Sequence, residues 1–204
     1  MPSLLDGATG ELMPLDAYYA DFEAHFWHSA DLGFWKMERQ QTFQEPGYDS
    51  WEAFARGDWE ESLRLLEAGR PDMAEYHRKA ERRGFVPRRI RVVQEPLSAY
   101  MWWELHALRI REECGGPVHV IDVDKVAEYE VDGPLPEIYT LGSRVMYEAV
   151  YDARGVLEAA RKYVDPDLIV RCQAFIEELF RAGEPLSGWF DQHVAHLPPP
   201  PAQI

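Results

Sequence analysis

The sequence has few of the features that identify secreted, membrane-spanning or disulfide-bonded proteins. It contains only two cysteines, Cys114 and Cys172. No apolar run approaches the ~20 residues that a transmembrane helix needs. The segment from Met1 to Asp16 has none of the lysines or arginines that a secretory signal carries. We therefore predict a cytoplasmic protein that has reduced thiols and no membrane segment.

Basic residues are also scarce: 21 lysines and arginines oppose 36 aspartates and glutamates, giving a net charge of -15. Phosphate backbones repel such an acidic protein, so we expect no direct binding of nucleic acid. The segment Arg70 to Arg91 is the exception, with eight basic residues against three acidic ones. We call this segment the basic strip and expect it to face an acidic patch on a protein partner, or an anionic ligand.

Motifs for catalysis and metal binding are absent or weak. The chain has no Gly-x-Ser-x-Gly elbow and no phosphate-binding glycine loop. A Cys/His pair would join Cys114 to His106 or His119, but Gly115 marks Cys114 as a residue at a helix end. Two His-x-x-His pairs, at 25 and 28 and at 193 and 196, are weaker metal signals than paired cysteines. We expect no catalytic residue, metal or cofactor, and this favours a non-enzymatic role.

Turn and cap signals divide the chain into a loose leader (1–14), one α+β domain (15–190) and a proline-rich tail (191–204) that we expect to be disordered. A first helix after Asp16 should turn Tyr19, Phe22 and Phe26 inward. Further helices are predicted from Ser50 and over 59–68, 71–83, 98–114 and 165–181, and strands over 34–43, 89–93, 118–123, 138–141, 145–151 and 156–163. The sequence thus predicts a helical N-terminal half packed on a mixed, largely antiparallel sheet with a C-terminal helix.

The strand and helix between Arg89 and Glu104 carry the main candidate site. Alternation along the strand should direct Arg89 and Arg91 to one side, and Tyr100 and Glu104 share a face of the helix that follows. Apolar and aromatic residues flank Glu104, so its carboxylate is expected to be partly buried and to need a cationic partner. Arg91 is the nearest candidate for that partner.

Two interpretations of this segment are open. In the first, Arg91 and Glu104 form an ion pair that joins strand to helix. In the second, Arg91, Glu95 and Tyr100 surround an anionic or polar ligand at the start of the helix.

The run RRIRVVQEPLSAYMWWEL, around Arg89 to Glu104, resembles the signature of an actinobacterial family, the domain of unknown function 6879. Further resemblances are the early strand Phe34 to Glu38, the strand Val118 to Val123, the hairpin from Met146 through Asp152 to Leu157, and Asp165-Pro166 before the last helix. The resemblance spans about residues 20 to 190. One departure is the run EIYTLG at 137–142, where many members have Phe-Trp-Leu-Phe-Asp.

The resemblance implies no settled chemistry. Members are often encoded beside helix-turn-helix regulators, which implies a regulatory or accessory role. The first hypothesis is therefore a binding or regulatory domain that acts through a protein partner, such as a transcriptional regulator, using an aromatic-rimmed face and the basic strip. The alternative is a small-molecule sensor or enzyme with a polar pocket around Arg91, Tyr100 and Glu104. The residues expected to bind ligand or partner are Arg89, Arg91, Glu95, Tyr100, Trp103 and Glu104.

Overall fold

An eight-stranded mixed sheet runs through the computed structural model, which describes residues 4–30 and 32–200. Its strands are Glu11–Pro14 (β1), Phe34–Glu38 (β2), Pro87–Val93 (β3), Val118–Asp122 (β4), Ile138–Leu141 (β5), Val145–Tyr151 (β6), Leu157–Tyr163 (β7) and Glu184–Pro185 (β8). Their order across the sheet is β1-β7-β6-β5-β2-β3-β4-β8. The pairs β2–β3 and β3–β4 are parallel, and the other neighbouring strands pair antiparallel. The predicted α+β class is confirmed.

Helices cover both faces of this sheet. They are Leu15–Phe26 (α1), Asp49–Ala55 (α2), Trp59–Ala68 (α3), Arg70–Arg82 (α4), Ala99–Glu113 (α5), Pro166–Ala182 (α6) and Leu186–His193 (α7). Side-chain caps fix three of their starts, because Asp58, Ser98 and Asp165 each accept a hydrogen bond from a first-turn N–H. Within the described residues, no helix has both the length and the apolar character needed to cross a membrane.

The two faces of the sheet are packed differently. On one face α6 lies on β2 to β6, with an apolar layer that includes Met37, Ile90 and Ile176. On the other face α5 packs over β4, and α1 packs near β7. Helix α5 is buried on nearly every side, as expected for a helix whose apolar residues are not confined to one stripe.

Two elements, β1 and α7, extend into the segments that the sequence predicts to be leader and tail. Strand β1 lies within the expected loose leader and pairs with β7; its four residues are mostly exposed and give no apolar alternation. Helix α7 extends to His193, inside the expected tail, because Trp189 and Phe190 pack into the core. Residues 1–3 and 201–204 of the predicted leader and tail lie outside the described residues.

The predicted strand 34–43 ends early, at Glu38. The backbone N–H groups of Arg39 and Gln40 donate to the carboxylate of Glu137 and so leave the sheet ladder. The inward position of Tyr19 was also predicted wrongly: Tyr18 is buried, whereas Tyr19 is 54% exposed. Phe22 and Phe26 pack inward as predicted, and Tyr18, four residues before Phe22, continues their face of α1.

Candidate functional site: a charged cavity between β2, β3 and α5

A cavity of about 300 Å³ opens between the sheet and α5. Its wall includes apolar and aromatic side chains from α3, α4, α5 and the loop before α2. Six acidic or basic side chains also line it: Lys36, Glu38, Glu45, Arg89, Glu104 and Arg111. Charges and apolar surface thus meet in one concave site, which is typical of small-molecule pockets.

The parallel register of β2 and β3 assembles the charged floor of the cavity. Lys36 lies beside Arg89, and Glu38 lies beside Arg91. The Glu38 carboxylate accepts from Lys36 Nζ and from Arg89 Nη1, each at 2.6 Å. Burial alone would raise the pKa of Glu38, but Arg89, Lys36 and Arg91 together lower it to about 2. Glu38 therefore stays ionised as the anionic centre of this floor.

Arg91 and Glu104 form the predicted ion pair, with Arg91 Nε 2.8 Å from Glu104 Oε2. The Arg91 side chain is fully buried, and the side chain of Glu104 is 7% exposed. The remaining Arg91 donors bond to the carbonyl oxygens of Glu38, Val92 and Gln40 and to the sulfur of Met101. Arg91 does not line the cavity. Its role is to hold the Glu104 carboxylate at the cavity wall.

Tyr100 links two carboxylates on the far side of the cavity. Its hydroxyl lies 3.1 Å from Glu45 Oε1 and 3.4 Å from Glu104 Oε1. Burial raises the pKa of Glu45, and it raises the pKa of Tyr100 well above the usual value. Beside them Trp103 lines the wall, and its indole N–H donates to Ser50 Oγ at 3.1 Å. This wall offers both ring surface and oxygen acceptors.

Glu95 does not join the site. The cavity lining includes Tyr100 and Glu104 but neither Glu95 nor Arg91, so the predicted Arg91–Glu95–Tyr100 grouping is not assembled. Glu95 is exposed and bonds to His193 Nδ1 of α7 at 3.0 Å. The turn before α5 directs its side chain toward α7, which the sequence had not predicted.

Several lining residues were missed from the sequence, although two signals pointed to them. Lys36 and Glu38 alternate on β2 with the same phase as Arg89 and Arg91 on β3. Arg111 lies seven residues after Glu104, and this spacing keeps both on one face of α5. Glu45 and Tyr48 carried no signal, because they lie in a loop before α2.

Most of the basic strip is paired within the molecule. Helical i,i+4 spacing favours a Glu75–Lys79 pair, but Arg78 and Arg82 both contact Glu75. Lys79 Nζ lies instead 3.6 Å from the centre of the Trp27 ring. Arg70 pairs with Glu67 and Glu113. The strip therefore presents less free positive charge than its composition indicates.

The cysteines and histidines engage other partners. Both thiols are free: Cys172 is buried and Cys114 contacts the carbonyl of Arg70. The rings of His106 and His119 bond to backbone carbonyl oxygens. Among residues 4–30 and 32–200, no group of three or more His, Cys, Asp or Glu is arranged to hold a metal ion.

Comparison with known proteins identifies one family. The family model described as Domain of unknown function (DUF6879) matches residues 20–191, which include all the residues that line the cavity. No curated protein and no solved structure gives a significant match. The predicted family resemblance, over about residues 20 to 190, is thus confirmed. Because the match covers most of the chain, the protein belongs to the DUF6879 family.

Proposed function

We propose that this domain binds a small polar molecule in the cavity and acts as a ligand-responsive accessory module. The observation that carries the proposal is the cavity itself: six acidic or basic side chains line a concave site whose other walls are apolar or aromatic. Its volume of about 300 Å³ is at the lower end of the range for ligand pockets. A flat apolar patch would have supported direct docking of a protein instead.

The first part of the proposal is that the domain binds its ligand without catalysing a reaction. Within the described residues, the lining has no serine, threonine, cysteine or histidine. The carboxylate of Glu38 is engaged by Lys36 and Arg89, and that of Glu104 by Arg91. Carboxylates held in ion pairs of this kind fix shape and charge rather than act as a nucleophile or a free base, and the third lining carboxylate, Glu45, accepts from the Tyr100 hydroxyl.

The module's output is the second part of the proposal. The actinobacterial setting, the cytoplasmic location and a protein partner such as a helix-turn-helix regulator are predictions from the resemblance and the composition. Ligand binding would supply the signal that such a partner reads. The basic strip alone gives little support for partner binding, because many of its arginines form ion pairs within the molecule. The proposal therefore combines ligand binding in the cavity with binding of a partner protein.

A cavity-blocking variant tests the proposal. Benzoate, benzyl alcohol and benzylamine share one ring and differ in charge, so we expect at least one of them to bind the full-length chain in calorimetric titration. Ala107 lines the cavity, and Ala107→Phe should abolish that binding by filling the site. The matched control is Ala24→Phe, at an exposed position of α1. Binding that survives Ala107→Phe, or no binding by any of the three, would refute the proposal.

A further inference from the structure

We infer that the ligand is a small organic monoanion, a carboxylate on an apolar body, and that Arg111 is its anchor with Arg89 beside it. This inference rests on the proposed function, since it names the chemical class that the same cavity takes.

Arg111 differs from the other arginines around the cavity in having no acidic partner in the described part of the chain. Arg70, Arg89 and Arg91 each contact a carboxylate within 4 Å. Among the described residues none pairs in this way with Arg111, whose guanidinium carbon lies 5.7 Å from the ring centre of Tyr76. Burial, with the positive charge of Arg89, lowers the pKa of Arg111 to about 10. A cation in this position is stabilised by an anion that enters the cavity.

The charge balance of the site indicates a single negative charge on the ligand. Three cations line the cavity, and so do three carboxylates. The Glu104 carboxylate is already paired with Arg91, which lies outside the lining, so two lining carboxylates remain against the three lining cations. One positive charge is therefore in excess, although the chain as a whole carries -15. A monoanion neutralises this excess, whereas an amine would add to it.

The remaining wall indicates an apolar body beside the charge. Leu66, Met73 and Leu108 line the cavity together with the rings of Tyr48 and Trp103. The two rings meet edge to face, with centres 5.7 Å apart. An inorganic anion would leave this surface wet, while an organic carboxylate covers it and gains the apolar contribution to binding. Arginine also suits a carboxylate, because its planar fork can donate two parallel hydrogen bonds.

The test compares benzoate with three probes by titration into the full-length chain. Benzyl alcohol keeps the ring without the charge, benzylamine reverses the charge, and inorganic phosphate keeps the negative charge without the ring. We expect benzoate to bind about 10- to 100-fold more tightly than benzyl alcohol, the range for hydrogen bonds to charged groups. Phosphate and benzylamine should bind more weakly still. Equal or tighter binding of any of these three would overturn the assignment.

The second part of the test substitutes Arg111, the proposed anchor. Arg111→Gln should remove the preference for benzoate over benzyl alcohol, and Arg111→Lys should restore part of the preference. The control Arg109→Gln lies on the same helix, where Arg109 pairs with Glu113 and Asp191 outside the cavity. A benzoate preference that persists in Arg111→Gln would overturn the role of Arg111. Binding of benzyl alcohol or benzylamine alone would overturn the anion class but leave the proposed function standing.

Discussion

The two sides of β3 are stabilised in different ways. Ile90 and Val92 face α6 and belong to an apolar layer that needs no specific partner. Arg89 and Arg91 face the opposite way and are held by carboxylates of Glu38 and Glu104. Burial of apolar surface stabilises the fold by a free energy that is roughly proportional to the area removed from water. A buried charge instead depends on one partner, so losing that partner strands it.

The strongest test of this difference is Glu104→Ala. The substitution leaves Arg91 fully buried without its carboxylate, and breaking a buried ion pair in this way costs about 3–5 kcal/mol. Urea unfolding should report this loss in the free energy of unfolding. Glu178→Ala, at an exposed position of α6, is the control and should change stability by no more than ~0.5 kcal/mol. A loss below about 1 kcal/mol for Glu104→Ala would mean that Arg91 finds another partner.

A second test of the charged side uses Glu137, a buried carboxylate that forms no ion pair within residues 4–30 and 32–200. Its Oε1 accepts from the N–H groups of Arg39 and Gln40, and its buried Oε2 has no hydrogen-bond partner among the described residues. Burial raises the pKa of Glu137 from 4.5 to about 7. The folded state therefore binds more protons than the unfolded state between these two values. The contribution of Glu137 to stability falls as pH rises through this window and stays low above it.

We expect Glu137→Gln to match the wild type in stability at about pH 4.5 and to exceed it by about 3 kcal/mol above pH 7. The amide keeps the acceptor oxygen and cannot ionise. His77, whose pKa burial lowers to about 4, changes stability in the opposite direction, but it does so equally in both proteins. The measurement is the difference between their urea-unfolding free energies across this pH range. A difference that does not change with pH would show that the buried carboxyl titrates normally.

The sequence predicted those parts of the site that are close together along the chain. Arg91 and Glu104 are thirteen residues apart, and strand alternation followed by helical spacing is enough to pair them. Glu38 reaches the same site from β2, fifty-one residues before Arg89. Its position depends on the parallel pairing of β2 with β3 across three intervening helices, and no local pattern encodes that pairing.

Glu95 is the reverse case: the sequence predicts that it belongs to the site, and the structure places it elsewhere. It is adjacent in sequence to the site, yet its side chain bonds to His193 of α7. Three residues separate α7 from α6, and the sequence pattern places the end of α7 in the tail, so it gives no sign of a contact between α7 and the turn before α5. The fold class was predictable because it depends on many periodic segments together. The set of residues that line the cavity was not predictable, because it depends on a few side chains that come together from segments far apart in the sequence.

The smallest effect is expected on the apolar face, from Ile176→Val. Ile176 is fully buried on the side of α6 that faces the sheet, and losing one methylene there should cost about 0.5–1.5 kcal/mol in the free energy of unfolding. The loss should be the same at about pH 5 and about pH 8, because the substitution changes no charge and no pairing. Val170→Ala on the same helix is the control: Val170 is 49% exposed, and its truncation should remain within ~0.5 kcal/mol. A loss above about 3 kcal/mol, or one that changes with pH, would show that the α6 face also depends on specific partners and that the two sides of β3 are alike.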